Sequence, residues 1–550
     1  MRINALTIEN FKGVSNPVRI EFKPITLLFG PNSAGKSTIV QALHYVREIL
    51  ERGNVDADRI LGADESFNLG GFVNFVHNHD RTRVVKFKVE FEVENEALQP
   101  FSSLKLGADT NIYDAIGIDG QSLSGLICDI NEVFEPSTAW VQLSVAWSYF
   151  LNKPYLKQYE TGLNGYPVAR ISCAEDGKRI ALSYLNINHP DFEDDSALRP
   201  ESDDPFFVTL TERIVRPEHL GSGGDLSLML ENQKSVLPHW GTPLTIAQEC
   251  LLEADPPVEE FAKLEHYHFS NMLTGYLSQV IVRPGEVLLN MLESARYIGP
   301  IRKVPSRNYN PIRSEDLSRW SSGLAAWDRL HLGEPEFVNE VGAWLARPDL
   351  LNTGYALKLR RYKEIDVESP LYISLTTARF LDEDEDRFGE LEGLQERREL
   401  VLVDEERLVQ VFPQDVGVGI SQLLPVVVGA LDDEIEILMV EQPELHIHPG
   451  LQCRIGDLLI NQIQDNNKMF IVETHSEHLL LRLLRRIREK KEGVIPPGLH
   501  GLTPEQLSVN YLELTDENGM CIRQLGISEE GDSKGDWPPG FFEERAGELF

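Results

Sequence analysis

Long apolar runs are missing from this 550-residue sequence. No stretch approaches the roughly 20 residues needed to cross a bilayer, and Met1 to Asn10 lack the basic and apolar regions of a secretion signal. The chain is therefore expected to be cytoplasmic, with no membrane contact. Cysteine is scarce. Cys128, Cys173, Cys250, Cys453 and Cys521 stand far apart, with no CxxC pair and no histidine at zinc-ligand spacing. That excludes a disulfide scaffold and a zinc finger, and is expected of reduced thiols. Positive charge is in deficit: 52 Lys and Arg stand against 87 Asp and Glu, a net of −35. A surface that coats nucleic acid is excluded, so any DNA contact has to be local or made through a partner. Low-complexity tracts, internal repeats and sustained heptads are also missing, which excludes a disordered tail, a solenoid and a long coiled-coil arm. What remains is an ordinary globular composition, 42% hydrophobic and 25% charged. At roughly 150 residues per domain the length leaves room for more than one core.

From Ile25 the chain reads ITLLFGPNSAGKSTIVQALHYVREIL. A short apolar strand runs into a glycine-containing loop, then into apolar positions at helical spacing. Gly30, Gly35, Lys36 and Ser37 satisfy G-x-x-x-x-G-K-[ST], with Pro31, Asn32, Ser33 and Ala34 between them and Thr38 after. Glycines let backbone N–H groups curl around phosphate oxygens, and a helix starting near Lys36 points its positive end at them. Lys36 is expected at the β- and γ-phosphates, the Ser37 hydroxyl on Mg²⁺ and Thr38 near the α-phosphate. The expected ligand is ATP with Mg²⁺.

A carboxylate for that metal stands much later, in IEILMVEQPELHIHPGLQ from Ile435. Ile435 to Val440 reads as a strand buried on both faces, expected beside the strand that precedes the phosphate loop. It would deliver Glu441 to the metal at the carboxyl end of the sheet, where such folds bind ligands. A buried strand followed by a surface acidic turn is the alternative. Just upstream, DVGVGISQLLPVVVGAL (Asp415 to Leu431) puts Gly417, Gly419, Ser421 and Gln422 at the start of an apolar helix. Alone, this is a capped buried helix. Taken with the other motifs, it is a second phosphate-binding helix start, one more than a single nucleotide needs in one subunit. It would cap the γ-phosphate of a neighbour's ATP in a head-to-tail homodimer or higher even-numbered oligomer. Downstream, KMFIVETHSEHLLLRLL from Lys468 places His475 at a strand end, either as a switch histidine touching the γ-phosphate or as a helix cap or solvated residue.

The order of these motifs resembles the ABC-type ATPases related to SMC, Rad and RecF proteins and to the overcoming-lysogenisation-defect family. The opening INALTIENFKGVSNPVRIEFKPITLLFGPNSAGKST, with Asn10, Phe11 and Lys12, is similar to the start of those proteins. RYIGPIRKVPSRNY (Arg296 to Tyr309), EQPELHIHP, ETHSEHLLLRL and GDWPPGFFEE (Gly535 to Glu544) resemble a bacterial subgroup that includes the PtuA ATPase subunits of Septu-type anti-phage systems, also found with some retrons. The resemblance covers roughly residues 1 to 80 and 290 to 550. It implies an α/β ABC-type P-loop ATPase with a central, mostly parallel sheet, a flanking antiparallel β subdomain and a helical insertion. It also implies an HNH-type nuclease partner (PtuB) and, in the retron setting, a reverse transcriptase with its RNA and DNA.

One residue departs from the family pattern. Most ABC ATPases carry the catalytic Glu directly after the acid that binds Mg²⁺; here that place is Gln442, whose amide orients water but takes no proton. Either Glu444 supplies the base, or hydrolysis is slow and bound ATP acts as a signal.

Between the two halves, VVKFKVEFEVE (Val84 to Glu94) alternates as a half-buried antiparallel strand, and Trp140 to Phe150 reads as another. Tyr166 to Leu185 reads as a hairpin turning at Asp176-Gly177. Asp191 to Asp204 is expected to be a linker and Thr245 to Leu292 largely helical. The division expected is 1–94, 95–290 and 291–550, the middle part being the insertion. His44, His77, His79, His446 and His448 read as packing residues rather than metal ligands. Basic residues gather in KLRRYK (Lys358 to Lys363), around Arg296 to Arg313, and from Arg482 to Lys491, as candidate nucleic-acid contacts. A RecF-like repair ATPase acting directly on DNA is the main competing reading. A self-contained nuclease is disfavoured, because no DxD pair follows His475.

Overall fold

A computed structural model of the chain describes residues 1–56, 69–94, 97–99, 101, 136–190, 211–212, 214–252, 260–307, 309–313, 318–377, 389, 391–515 and 519–537. The expected linker at 191–204 lies outside them, as does GDWPPGFFEE beyond residue 537. Two compact units divide the chain: Met1–Ala295 with Glu505–Gly526, and Arg296–Pro504 with Ile527–Phe550.

In the first unit an antiparallel sheet of eight strands follows the order β2-β1-β4-β5-β6-β7-β8-β9. Its strands are β1 (Ile3–Glu9), β2 (Val18–Glu21), β4 (Val85–Glu92), β5 (Thr138–Ser148), β6 (Lys153–Leu163), β7 (Tyr166–Cys173), β8 (Ile180–Leu185) and β9 (Asp225–Met229). Alternation decides the buried face of β4: Val85, Phe87, Val89 and Phe91 point inward while the Lys and Glu between them do not. Phe87 meets Phe11 edge-on at 5.1 Å and Tyr45 of helix α1 (Lys36–Arg52) at 5.5 Å, which docks the helix on the sheet. β5 to β9 continue the sheet begun by β1, so the expected boundary at residue 94 falls within this unit.

Helix α2 (Glu260–Glu293) carries Pro284 inside it. Proline has no N–H and its ring crowds the carbonyl four residues back, which is that of Val280. The Thr161 hydroxyl donates to Val280 O (2.9 Å) and the Tyr159 hydroxyl to Ile281 O (2.7 Å), so β6 satisfies the backbone that the proline disrupts. The helix is shorter than expected, because residues 245–252 form a bridge and a short 3₁₀ turn. The same unit holds β3 (Ile25–Phe29), every residue of it buried, paired in parallel with β16 (Leu507–Thr515), which pairs antiparallel with β17 (Gly519–Leu525).

In the second unit β14 (Ile437–Glu441) runs parallel to β15 (Met469–Glu473) in register Glu441↔Glu473, with β10 (Ala295–Ile298) on its other side. β14 is thus flanked by β10 and β15, not by the phosphate-loop strand as expected. Helix α5 (Val418–Leu431) is buried from Ser421 onward, and α3 (Leu324–Leu332) and α4 (Pro335–Ala346) pack on it. A stretch rich in Val, with Pro425 inside, is a poor helix former, so tertiary packing sustains it. Helices α6 (Pro449–Asp465) and α7 (Glu477–Glu492) share a buried ion network in which Arg486 Nε reaches Asp457 at 2.7 Å. A separate antiparallel sheet joins β11 (Tyr355–Lys363), β12 (Glu396–Asp404) and β13 (Val409–Val411). The class is α/β with parallel pairs and a flanking antiparallel sheet, as expected of an ABC-type P-loop ATPase.

Candidate nucleotide site

The phosphate loop of the first unit is shaped by two glycines with no room for a side chain. Gly30 has φ +143, and a Cβ there would lie 2.2 Å from Leu512 O of β16; Gly35 has φ +93, and a Cβ would lie 2.6 Å from Met520 Sδ. Ser33 takes the left-handed conformation between them. Lys36 is 4% exposed, and its ammonium donates to Gly30 O and Pro31 O, both at 3.0 Å, so it arches back across the loop. Gly35 caps α1 without a side-chain hydrogen bond, which leaves the first backbone N–H groups of the helix without a capping side chain among the described residues. A cation folded over the loop, a seventeen-residue helix pointing into it and a backbone that a Cβ would fill suit phosphate oxygens, and the Ser37 hydroxyl suits Mg²⁺. Asn10, Phe11 and Lys12 are structural: Asn10 Nδ2 donates to Val84 O (2.9 Å), Phe11 is wholly buried, and Lys12 bonds Gln41.

In the second unit Glu441, Gln442, Glu444 and His475 are brought together by the β14–β15 pair. Gln442 has φ 45, rare outside glycine, and its N–H donates to Glu473 O (2.7 Å), which turns the chain sharply after Glu441. Glu444 is doubly engaged: one oxygen accepts from the Thr474 hydroxyl (2.8 Å), the other from the His475 N–H (2.7 Å). His475 is exposed, and the helix cap is Ser476, whose hydroxyl accepts from Leu479 N (3.0 Å). The cap is therefore not His475, whose exposure fits a solvated residue as well as a switch histidine.

Tyr297, which no expectation named, and Arg302, which lies in the basic stretch expected to contact nucleic acid and is instead buried, organise this turn. Arg302, 2% exposed, donates to Glu441 O (2.6 Å), Gln442 O (3.2 Å) and Gln422 O (3.3 Å); burial brings its pKa down to about 10, still charged at neutral pH. Tyr297 hydrogen bonds Glu441, and burial followed by that carboxylate raises its pKa, so it remains a donor. Both lie in RYIGPIRK. A Tyr and an Arg inside an apolar strand end were the available signal.

The helix-start residues divide. Ser421 is 1% exposed with its hydroxyl on Pro413 O (2.9 Å), and the Gln422 amide is spent on Arg302, donating to its carbonyl (2.6 Å) and accepting from its N–H (3.1 Å). Both polar groups are thus engaged inside the unit in this structure. Gly417 is exposed, and Gly419 lets α5 approach the 446 turn, since a Cβ there would meet His446 O at 2.7 Å. His448 Nδ1 caps α6 by accepting from Gly450 N (3.2 Å), and among the described residues no His, Cys, Asp or Glu cluster suits a metal. The basic run from Arg482 is mostly neutralised internally: Arg482 and Arg486 meet Asp457, Arg485 meets Glu489, Arg488 meets Asp532 and Lys491 meets Glu530.

Residues 1–191 match the AAA ATPase domain family, and residues 300–482 match the family described as "AAA domain, putative AbiEii toxin, Type IV TA system". The chain is 30% identical over 138 residues to the chromosome partition protein Smc of Halothermothrix orenii, a stretch that is 24% of the chain and about a tenth of that protein's length. Two solved SMC heads, one bound to the C-winged helix domain of ScpA and one from Thermotoga maritima, align at TM-scores of 0.36 and 0.34 with 11% identity. They cover 96% and 95% of this chain, and 99% and 98% of their own chains. At those scores the superpositions add nothing to the topology above. No described helix is long and apolar enough to cross a membrane.

Proposed function

We propose that this ATPase turns over slowly and uses bound ATP as a signal, closing as a homodimer or larger even-numbered assembly to control an associated nuclease. Lys36 and the loop from Gly30 to Thr38 hold the phosphates; Ser37 and Glu441 hold Mg²⁺, which neutralises charge on the β- and γ-phosphates when bound. Tyr297 keeps Glu441 oriented. His475, exposed beside the Glu444 turn, faces the γ-phosphate, and the N-terminus of α5 at Gly417 caps the nucleotide of a neighbouring subunit.

The observation that carries slow turnover is the commitment of Glu444. Both of its oxygens accept hydrogen bonds, and releasing them to make a general base costs about 1.5–3 kcal/mol per charged bond. Gln442, the residue next to Glu441, takes no proton. Steady-state phosphate release tests this. A rate far below about 10 per second, rising at least tenfold in Gln442→Glu, is expected; brisk release by the unaltered chain contradicts it.

The resemblance to PtuA supports an HNH-type nuclease as partner, with a retron reverse transcriptase and its RNA and DNA as a further associate. The description of the family matched at 300–482 names an AbiEii toxin and a Type IV TA system, in keeping with a defence role. Co-purification from the source cell reads the partner directly. The stretch similar to Smc favours a second reading, an ATPase acting on DNA itself, which predicts duplex binding by the purified chain alone.

A further inference from the structure

Of the three basic clusters, the one on β11 and β12 lacks buried partners. Lys358 to Glu364 and Glu396 to Glu399 together hold six cations and three carboxylates, a local excess of positive charge in a chain whose net is −35. The ion pairs are exposed rather than buried: Arg397 meets Glu364 at 2.9 Å, Arg398 meets Glu396 at 3.4 Å, Arg360 meets Glu399 at 3.6 Å and Arg361 meets Glu396 at 3.9 Å, while Lys363 donates to Leu391 O (2.6 Å) and Glu392 O (2.9 Å). Such pairs are worth at most about 1 kcal/mol and exchange readily for another anion. Register adds a second observation. Arg361 stands directly opposite Arg398, a like-charge pair that weakens the ladder and that an external anion would relieve.

At the foot of this hairpin lies a cavity of about 760 Å³, lined in part by Tyr309, Tyr362 and Phe412 and by Arg307, Arg397 and Arg398. That size accommodates a small-molecule ligand or a nucleotide unit. Aromatic faces beside guanidinium groups, at the end of a charged ridge, are what stacked bases and a flexible phosphate backbone require.

We propose that the β11–β12 hairpin and the cavity at its foot bind single-stranded nucleic acid. Lys358 and Arg360, on the same face of β11 as Tyr362, and Arg397, opposite Tyr362 on β12, follow the phosphates, and Tyr362 with its neighbours in the cavity stacks a base. A duplex holds its bases paired and cannot offer one to the cavity. The contact is independent of the phosphate loop, which lies in the first unit.

The test is fluorescence anisotropy of a labelled oligo(dT) of about 16 nucleotides with the full-length chain, with and without ATP, across salt. The expected result is binding tighter to oligo(dT) than to duplex, with log K against log salt falling at a slope of about −2 for three neutralised phosphates. Arg360→Glu with Arg397→Glu is expected to weaken it at least tenfold, and Tyr362→Ala several-fold for the single strand alone, while ATP binding stays intact as the folding control. Unchanged binding in both variants, equal or tighter duplex binding, no binding at low salt, or equal displacement by polyglutamate each overturns the proposal; the last points to an acidic protein surface instead. Lys36→Ala, which removes ATP binding, leaves the oligo(dT) affinity unchanged, so failure here and failure of the ATPase reading are separable.

Discussion

Glu444 and Lys468 show how single polar groups are placed for work other than chemistry. Because the Glu444 carboxylate ties the 442–444 turn to the start of α7, Glu444→Ala is expected to lose about 2–4 kcal/mol of stability in denaturant melts, while the already slow phosphate release stays near its starting value. A collapse of release with unaltered stability would make Glu444 the base after all. Lys468, 2% exposed, donates to Ala430 O (2.8 Å) and Asp432 O (2.6 Å), and burial lowers its pKa to about 8. The unfolded chain holds this proton up to about pH 10.5, so stability is gained as pH rises from 8 toward 10.5 and lost as pH falls through 8. Lys468→Met is expected to lack that rise, read as denaturant midpoints at pH 7.5 and 9.5. At this scale the phosphate loop was legible, because its spacing is local and each glycine answers to a contact. Tyr297 and Arg302 were not, since Arg302 reaches carbonyls 139 and 140 residues away and no periodicity announces it.

Among the elements, α5 matters most, because its buried length and its exposed start serve different ends. Gly417 has open space around it, so Gly417→Arg is expected to fold and bind ATP as before yet fail to form the ATP-dependent assembly, measured by mass photometry. Ser421 would be a poor probe, since an Arg there has nowhere to go. Thr161→Val leaves the Val280 carbonyl above Pro284 buried without its donor and is expected to cost about 1–3 kcal/mol, seen in thermal melts. Alternation and strand length revealed β4, β5, β7 and β8 in advance. That β14 lies between β10 and β15 was hidden, because strand order depends on crossovers and not on the composition of any one strand. The parallel pairing itself could be anticipated from the two uninterrupted apolar runs ending in Glu441 and Glu473.

On the scale of the molecule, a net charge of −35 repels polyanions and leaves nucleic-acid contact to one hairpin, so such binding is expected to be salt-sensitive and local. The acidic balance also opposes close approach of two copies, and contacts that both copies make with bound nucleotide are the proposed counterweight. Mass photometry and phosphate release on the purified chain, measured together without nucleotide, with Mg-ATP and with Mg-ADP, and repeated on Lys36→Ala, test the central claim most directly. The account predicts that Mg-ATP alone drives the chain into an even-numbered assembly while phosphate appears slowly, and that Lys36→Ala does neither. Brisk turnover by a monomer would contradict it.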